Sequence, residues 1–116
     1  MAITEAYAGS ATIGTTEYSL PNNSTTLTPI AVAGVWQLFL DLSALTATES
    51  YRIKLYETVN SNKRVFQQID VFGVAGGPSD PLYVSPSFAL LNGWDMTVTK
   101  LQGTSRSIAW SIRKAG

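Results

Sequence analysis

The chain has 116 residues, no cysteine and no histidine, and its 8 basic and 8 acidic side chains cancel. Disulfides, thiolate metal sites and histidine-based acid–base chemistry are therefore excluded. Only 14% of residues are charged, against about 25% in an average domain, and so balanced a chain carries no general attraction for phosphate backbones. An apolar fraction of 45% is that of a folded globular chain, and the length suits one domain. No apolar run approaches the roughly 18 residues of a membrane-spanning helix. Met1-Ala2-Ile3-Thr4-Glu5 has neither the basic start nor the apolar stretch of a secretory leader. The expectation is a protein made in the cytoplasm, with no membrane and no nucleic acid among its partners.

In chain order, residues 1–9 read as an arm, and Ser10 to Ile13 and Glu17 to Leu20 as short strands. Val35 to Ser43 is the clearest strand. Trp36, Leu38, Leu40 and Leu42 share one face, and Gln37, Asp41 and Ser43 lie on the other with Val35 and Phe39. Ser43 to Ser50 is a connection. Tyr51 to Val59 places Tyr51, Ile53 and Leu55 opposite Arg52, Lys54 and Tyr56. Asn60-Ser61-Asn62-Lys63 then turns the chain into Arg64 to Phe72, where Val65, Ile69 and Val71 oppose Phe66, Asp70 and Phe72. Val74 to Pro81 is a loop broken by Gly76-Gly77-Pro78. Leu82 to Phe88 is a strand that Pro86 confines to an edge or a bulge. Trp94, Met96 and Val98 open a last hairpin, which turns at Gln102 to Ser105 and returns through Ile108, Trp110 and Ile112. The pattern predicts a single all-β domain of about seven or eight antiparallel strands, a β-sandwich of jelly-roll kind or a small barrel.

Each chemical motif meets a structural explanation. Trp36, Trp94 and Trp110 are in phase with aliphatic neighbours and read as core rather than as a sugar-stacking platform. Arg52, Lys54, Lys63 and Arg64 read as a solvated face with ion pairs to Glu57 and Asp70. Asp41, Asp70, Asp80 and Asp95 are not gathered on one calcium-binding loop. Gly73 to Pro78 lacks the Lys-Ser/Thr of a phosphate loop, and Asn22 to Thr25, though a glycosylation pattern, follows no leader. No catalytic residue, cofactor or metal ligand is expected. What stands out is apolar sequence in connections, where polar residues are the rule. Ile30 and Val32, Phe72 and Val74, and Phe88, Leu90 and Leu91 form the candidate interface.

Three segments carry a likeness. They are Thr16-Glu17-Tyr18-Ser19-Leu20 with Asn22 to Thr26, Val84 to Ser87 through Leu91-Asn92-Gly93-Trp94-Asp95-Met96-Thr97, and Gly103 to Ile108. In these, and in texture over most of its length, the chain resembles small structural virion proteins of tailed bacteriophages. The resemblance implies a non-enzymatic virion component of the head-decoration or capsid-cement type, bridging capsid subunits. Its partners would be the major capsid protein or other virion proteins, together with copies of itself. A tail, adaptor or fibre-associated protein, or a carbohydrate-binding β-sandwich using Tyr56 or Tyr83, is the alternative. No functional residue is implied by the likeness.

Overall fold

A computed structural model describes residues 2–74 and 81–115. The glycine-proline turn expected at 76–78, and Asp80, lie outside the described residues. Nine strands are present among those described: β1 Ile3–Ile13, β2 Tyr18–Ser19, β3 Gly34–Asp41, β4 Ser50–Val59, β5 Asn62–Phe72, β6 Leu82–Val84, β7 Phe88–Leu90, β8 Asp95–Gln102 and β9 Arg106–Ala115. They form two antiparallel sheets. Sheet A has the order β1-β9-β3-β6, with β7 also on β3, and sheet B has the order β2-β8-β4-β5. Counted as one interrupted strand, β6 and β7 bring the total to eight, and the two orders are those of a jelly roll. The chain is thus an all-β jelly-roll sandwich, as its alternation predicts.

Several elements differ from expectation. The stretch expected as an arm is strand: from Ile3 onward it pairs with β9, and the short strand expected at Ser10 is the second half of β1. The strand expected at Leu82 to Phe88 is split. Pro86 can donate no ladder bond, and Ser85 fills the gap by accepting from the Leu38 amide through Oγ at 2.9 Å. In β5 one alternating phase does not hold. Leu55 pairs with Gln67 but Tyr56 with Val65, so Phe66 is an extra residue in a bulge. Val65 therefore shares the outward side with Tyr56, and Phe66 meets Phe88 of the other sheet edge-to-face at 5.0 Å. The β4–β5 turn is two residues long, with Asn60 and Ser61 both at positive φ (52° and 66°), the hairpin geometry that matches strand twist.

The core is the inward half of each alternating strand. Leu38, Leu40, Ile53, Leu55, Met96, Val98, Ile108 and Ile112 are fully buried. All three tryptophans lie inside, at 1%, 0% and 4% exposure for Trp36, Trp94 and Trp110. Trp36 and Trp94 are in contact at 4.6 Å with their rings tilted by 46°, and Tyr7 of β1 closes over both. The Trp94 Nε1 donates to the Val32 carbonyl at 2.9 Å. The ends are tied by polar groups. Glu49, on the connection from sheet A to sheet B, accepts from the Thr46 amide at 2.6 Å and from Arg106 Nε at 3.0 Å. Together with the Thr48 hydroxyl these bonds hold its carboxyl down to about 2, from an ordinary 4.5. Gly103 closes the β8–β9 turn at φ +88°, where a Cβ would lie 2.3 Å from the Thr48 carbonyl oxygen.

Candidate functional site

The outward residues of sheet A form a surface that is readable row by row from the ladders. Ile3, Ala115, Val35 and Ala89 make one row, and Glu5, Arg113 and Gln37 the next. Ala8, Ser111, Phe39 and Val84 make the third, and Ser10, Ala109, Asp41 and Leu82 the fourth. Strand pleating puts all of these on the side away from the core. The large side chains stay open: Ile3 is 73% exposed, Leu82 56%, Val84 43% and Val35 41%. At the centre the Arg113 guanidinium lies 3.9 Å from the centre of the Phe39 ring, a cation–π stack.

Two shallow depressions flank this stack. One, of about 200 Å³, is bounded by Asp41, Leu82, Ala109 and Ser111. The other, of about 160 Å³, is bounded by Ile3, Val35, Gln37, Ser87 and Ala115. Charge on the face is sparse and engaged. Glu5 accepts from the Ser111 hydroxyl, which in turn accepts from Arg113 Nε at 3.1 Å. Asp41 accepts from the Ser43 amide at 2.9 Å, and its bonds to Ser43 hold its carboxyl below the usual carboxylate range. This is a broad, gently pitted surface in which aliphatic patches flank a central cation and a few locally bonded polar groups. It is suited to burying area against another macromolecule.

The interface residues expected from sequence do not come together. Leu90 is core at 5% exposure. Ile30 bridges to Trp94 and packs on the core, as does Phe88. Val32, Phe72, Val74 and Leu91 are exposed, but they are separated. Phe72 and Val74 lie at the Ser50 end of β4, where Phe72 pairs with Ser50. Leu91 is at the other end, its amide bonded to Glu57 at 2.6 Å. The face of sheet A was missed, although Val35 and Phe39 on the polar side of the clearest strand were its signal.

Most of the other sequence candidates are accounted for internally, although Glu57 accepts from the Thr58 and Leu91 amides rather than pairing with a cation. Arg52 is paired to Asp70 through two bonds, of 2.8 and 3.1 Å. Lys63 lies 3.7 Å from Asp95 and over the Tyr56 ring. Asp95 is fully buried and accepts from Ser19 Oγ and from the Met96 amide. Burial nonetheless raises its carboxyl above the ordinary value. The Tyr56 hydroxyl donates to Glu17, and burial together with that bond raises it strongly. Tyr83 points between the sheets, its hydroxyl buried without a partner. Neither tyrosine offers a free ring and hydroxyl for a sugar. No group of three acidic side chains that could hold a metal occurs among the described residues.

No family model matches the chain, and no curated protein matches it. Among solved structures it is similar to the CBM22-1–GH10 modules of Clostridium thermocellum xylanase 10B complexed with xylohexaose. Identity there is 16%, over 74% of this chain and 17% of that one, with a TM-score of 0.38. It is also similar to a xylan-binding domain from CBM 22, at 12% identity over 85% of this chain and 64% of that one, with a TM-score of 0.35. The chain thus spans less than two-thirds of either structure.

Proposed function

We propose that this chain is a non-enzymatic structural subunit that docks onto other proteins through the outer face of sheet A. The setting we propose is a tailed-phage virion, where it would act as a head-decoration or cement protein bridging capsid subunits. The single observation that carries docking is the pair of exposed aliphatic patches, Ile3 with Val35 and Val84 with Leu82, on either side of the Phe39–Arg113 stack. Aliphatic side chains drawn from β1, β3 and β6 stand exposed together there, on a rigid sheet. Covering such a surface stabilises only the assembled state, because the area is buried only when a neighbour is present. The sparse charge on the face, already held in local bonds, lowers the desolvation cost of contact.

The test is incorporation. Particles formed in the presence of the wild-type chain are purified and analysed by mass spectrometry, beside particles formed with the Leu82→Asp/Val84→Asp double variant. The wild type is expected at a fixed ratio to the major shell protein, with the variant depleted at least about tenfold, since a buried unpaired charge costs more than 1.4 kcal/mol. A wild-type chain absent from particles would sink the virion setting. A folded variant incorporated at the wild-type ratio would sink the assigned surface.

A further inference from the structure

The two sheets end in four edges, and these are not alike. β2 has two residues and β6 and β7 three each, too short to template another strand. β1 and β5 have eleven residues each. Exposed edges of that length are usually guarded by proline, by a bulge or by charges that repel a second copy, and β5 carries only the bulge at Phe66 and a few charges. β5 contains no proline, and its charges are polarised: Lys63 and Arg64 stand at one end and Asp70 at the other. Val65 and Phe66 are each 42% exposed, and Phe72 is 67% exposed. Beside the bulge opens an apolar groove of about 280 Å³, lined by Val59, Phe66, Phe88 and Leu90 with Glu57 at its rim.

We propose that β5 pairs with β5 of a second copy, antiparallel, about a two-fold axis through Gln67. The bulge sets the register, because Phe66 takes no partner of its own. Asp70 then faces the partner's Lys63, Ile69 faces the partner's Arg64, and Gln68 faces the partner's Val65. Each pair keeps both residues on one side of the joined sheet, as the β4 register assigns them. The polarity of the strand selects this arrangement. A two-fold antiparallel pair sets cation against acid twice, whereas an in-register parallel pair sets Lys63, Arg64 and Asp70 each against its like. The second strand also roofs the groove beside Phe66. The product is a closed dimer in which sheet B runs on through eight strands. It uses an edge of sheet B and leaves the outer face of sheet A free, so it stands or falls apart from the docking reading.

The test uses the cysteine-free chain. Paired antiparallel residues have Cα atoms about 4.5–5.5 Å apart, within the span of a disulfide. Gln67→Cys is therefore expected to form a covalent dimer under mild oxidation, much faster than Ala8→Cys at the middle of the β1 edge. Sedimentation of the wild type should give twice the mass of one chain. Lys63→Glu and Asp70→Lys should each weaken the dimer about tenfold, since each change acts twice across the axis, and the K63E/D70K double variant should recover it. Lys63 also lies 3.7 Å from Asp95 and Asp70 is bonded to Arg52, so each variant is first checked for the near-ultraviolet dichroism of the folded wild type. A wild type that stays monomeric at its highest soluble concentration overturns the proposal. So does cross-linking no faster at 67 than at 8, or a double variant no tighter than the singles.

Discussion

The outer faces of the two sheets differ in how their side chains are satisfied. On sheet B most groups that point outward, Val65 and Phe72 apart, are polar, and many find partners within the chain. Arg52 holds Asp70, Tyr56 and Thr97 both donate to Glu17, and Ser19 donates to Asp95. The segment after β2 lies over part of that face, where Asn22 bonds Ser19 and the Thr28 carbonyl. On sheet A more than half of the outward side chains are apolar, and nothing among the described residues covers them. One sandwich thus carries a closed face, whose hydrogen bonds are spent on its own stability, and an open face, whose area is stabilising only against something else. Stability and docking are separable because they reside on opposite sides of the same core.

Breaking the closed face should have the larger effect on folding. Glu17→Ala strips the acceptor from two hydroxyls at once, in a partly buried setting, and is expected to cost about 1–3 kcal/mol in urea unfolding. Its effect on docking at sheet A should be nil; a variant as stable as wild type would mean that water already satisfies those hydroxyls. Next in size is the acid response at the seam between the sheets. The Glu49 carboxyl is held at about 2 in the folded chain against an ordinary 4.5. A folded-state value below the unfolded one means that the contribution is present above about 4.5 and is lost as pH falls toward about 2. Asp41 and Asp70, also lowered, act in the same direction, whereas Asp95, raised by burial, opposes them. Denaturation midpoints measured from pH 7 downward should fall through that window, and Glu49→Gln should flatten the fall. An equal slope in the variant would assign the acid response elsewhere. The smallest effect should come from the open face. Leu82→Thr with Val84→Thr is expected to shift stability by no more than about 0.5 kcal/mol, since both side chains are largely exposed. A loss well beyond that would show the face to be part of the fold's own packing.

How much of this was legible in the chain depends on the distance over which each feature is set. β3, β4, β8 and β9 announce themselves because a half-buried strand writes its burial as strict alternation, and Trp36, Trp94 and Trp110 fell in that phase. The Asn60-Ser61 turn was legible for a local reason, the tolerance of asparagine for positive φ. The bulge at Phe66 was not, because an extra residue is defined by what β4 does opposite it. The open face was hidden for the same reason. Val35 and Phe39 looked like isolated exceptions until pairing set Val84 and Leu82 beside β3 from more than forty residues away, and Ile3 from the far end of the sheet. The apolar connections misled because Leu90 and Ile30 are inner-face residues of short paired segments that carry too few positions to show a period.

The close, tilted pair Trp36–Trp94 at 4.6 Å, with Trp110 also inside, gives the molecule an optical property. Every indole is shielded from water and none stands on the open face of sheet A or along β5. Emission should therefore shift to the red when the sandwich opens and stay constant when either surface is covered by a partner. The close indole pair should likewise yield a strong near-ultraviolet dichroic signal that disappears with core packing alone. A variant that fails to assemble can thus be sorted by light, into one that has lost its fold and one that has lost only its contact.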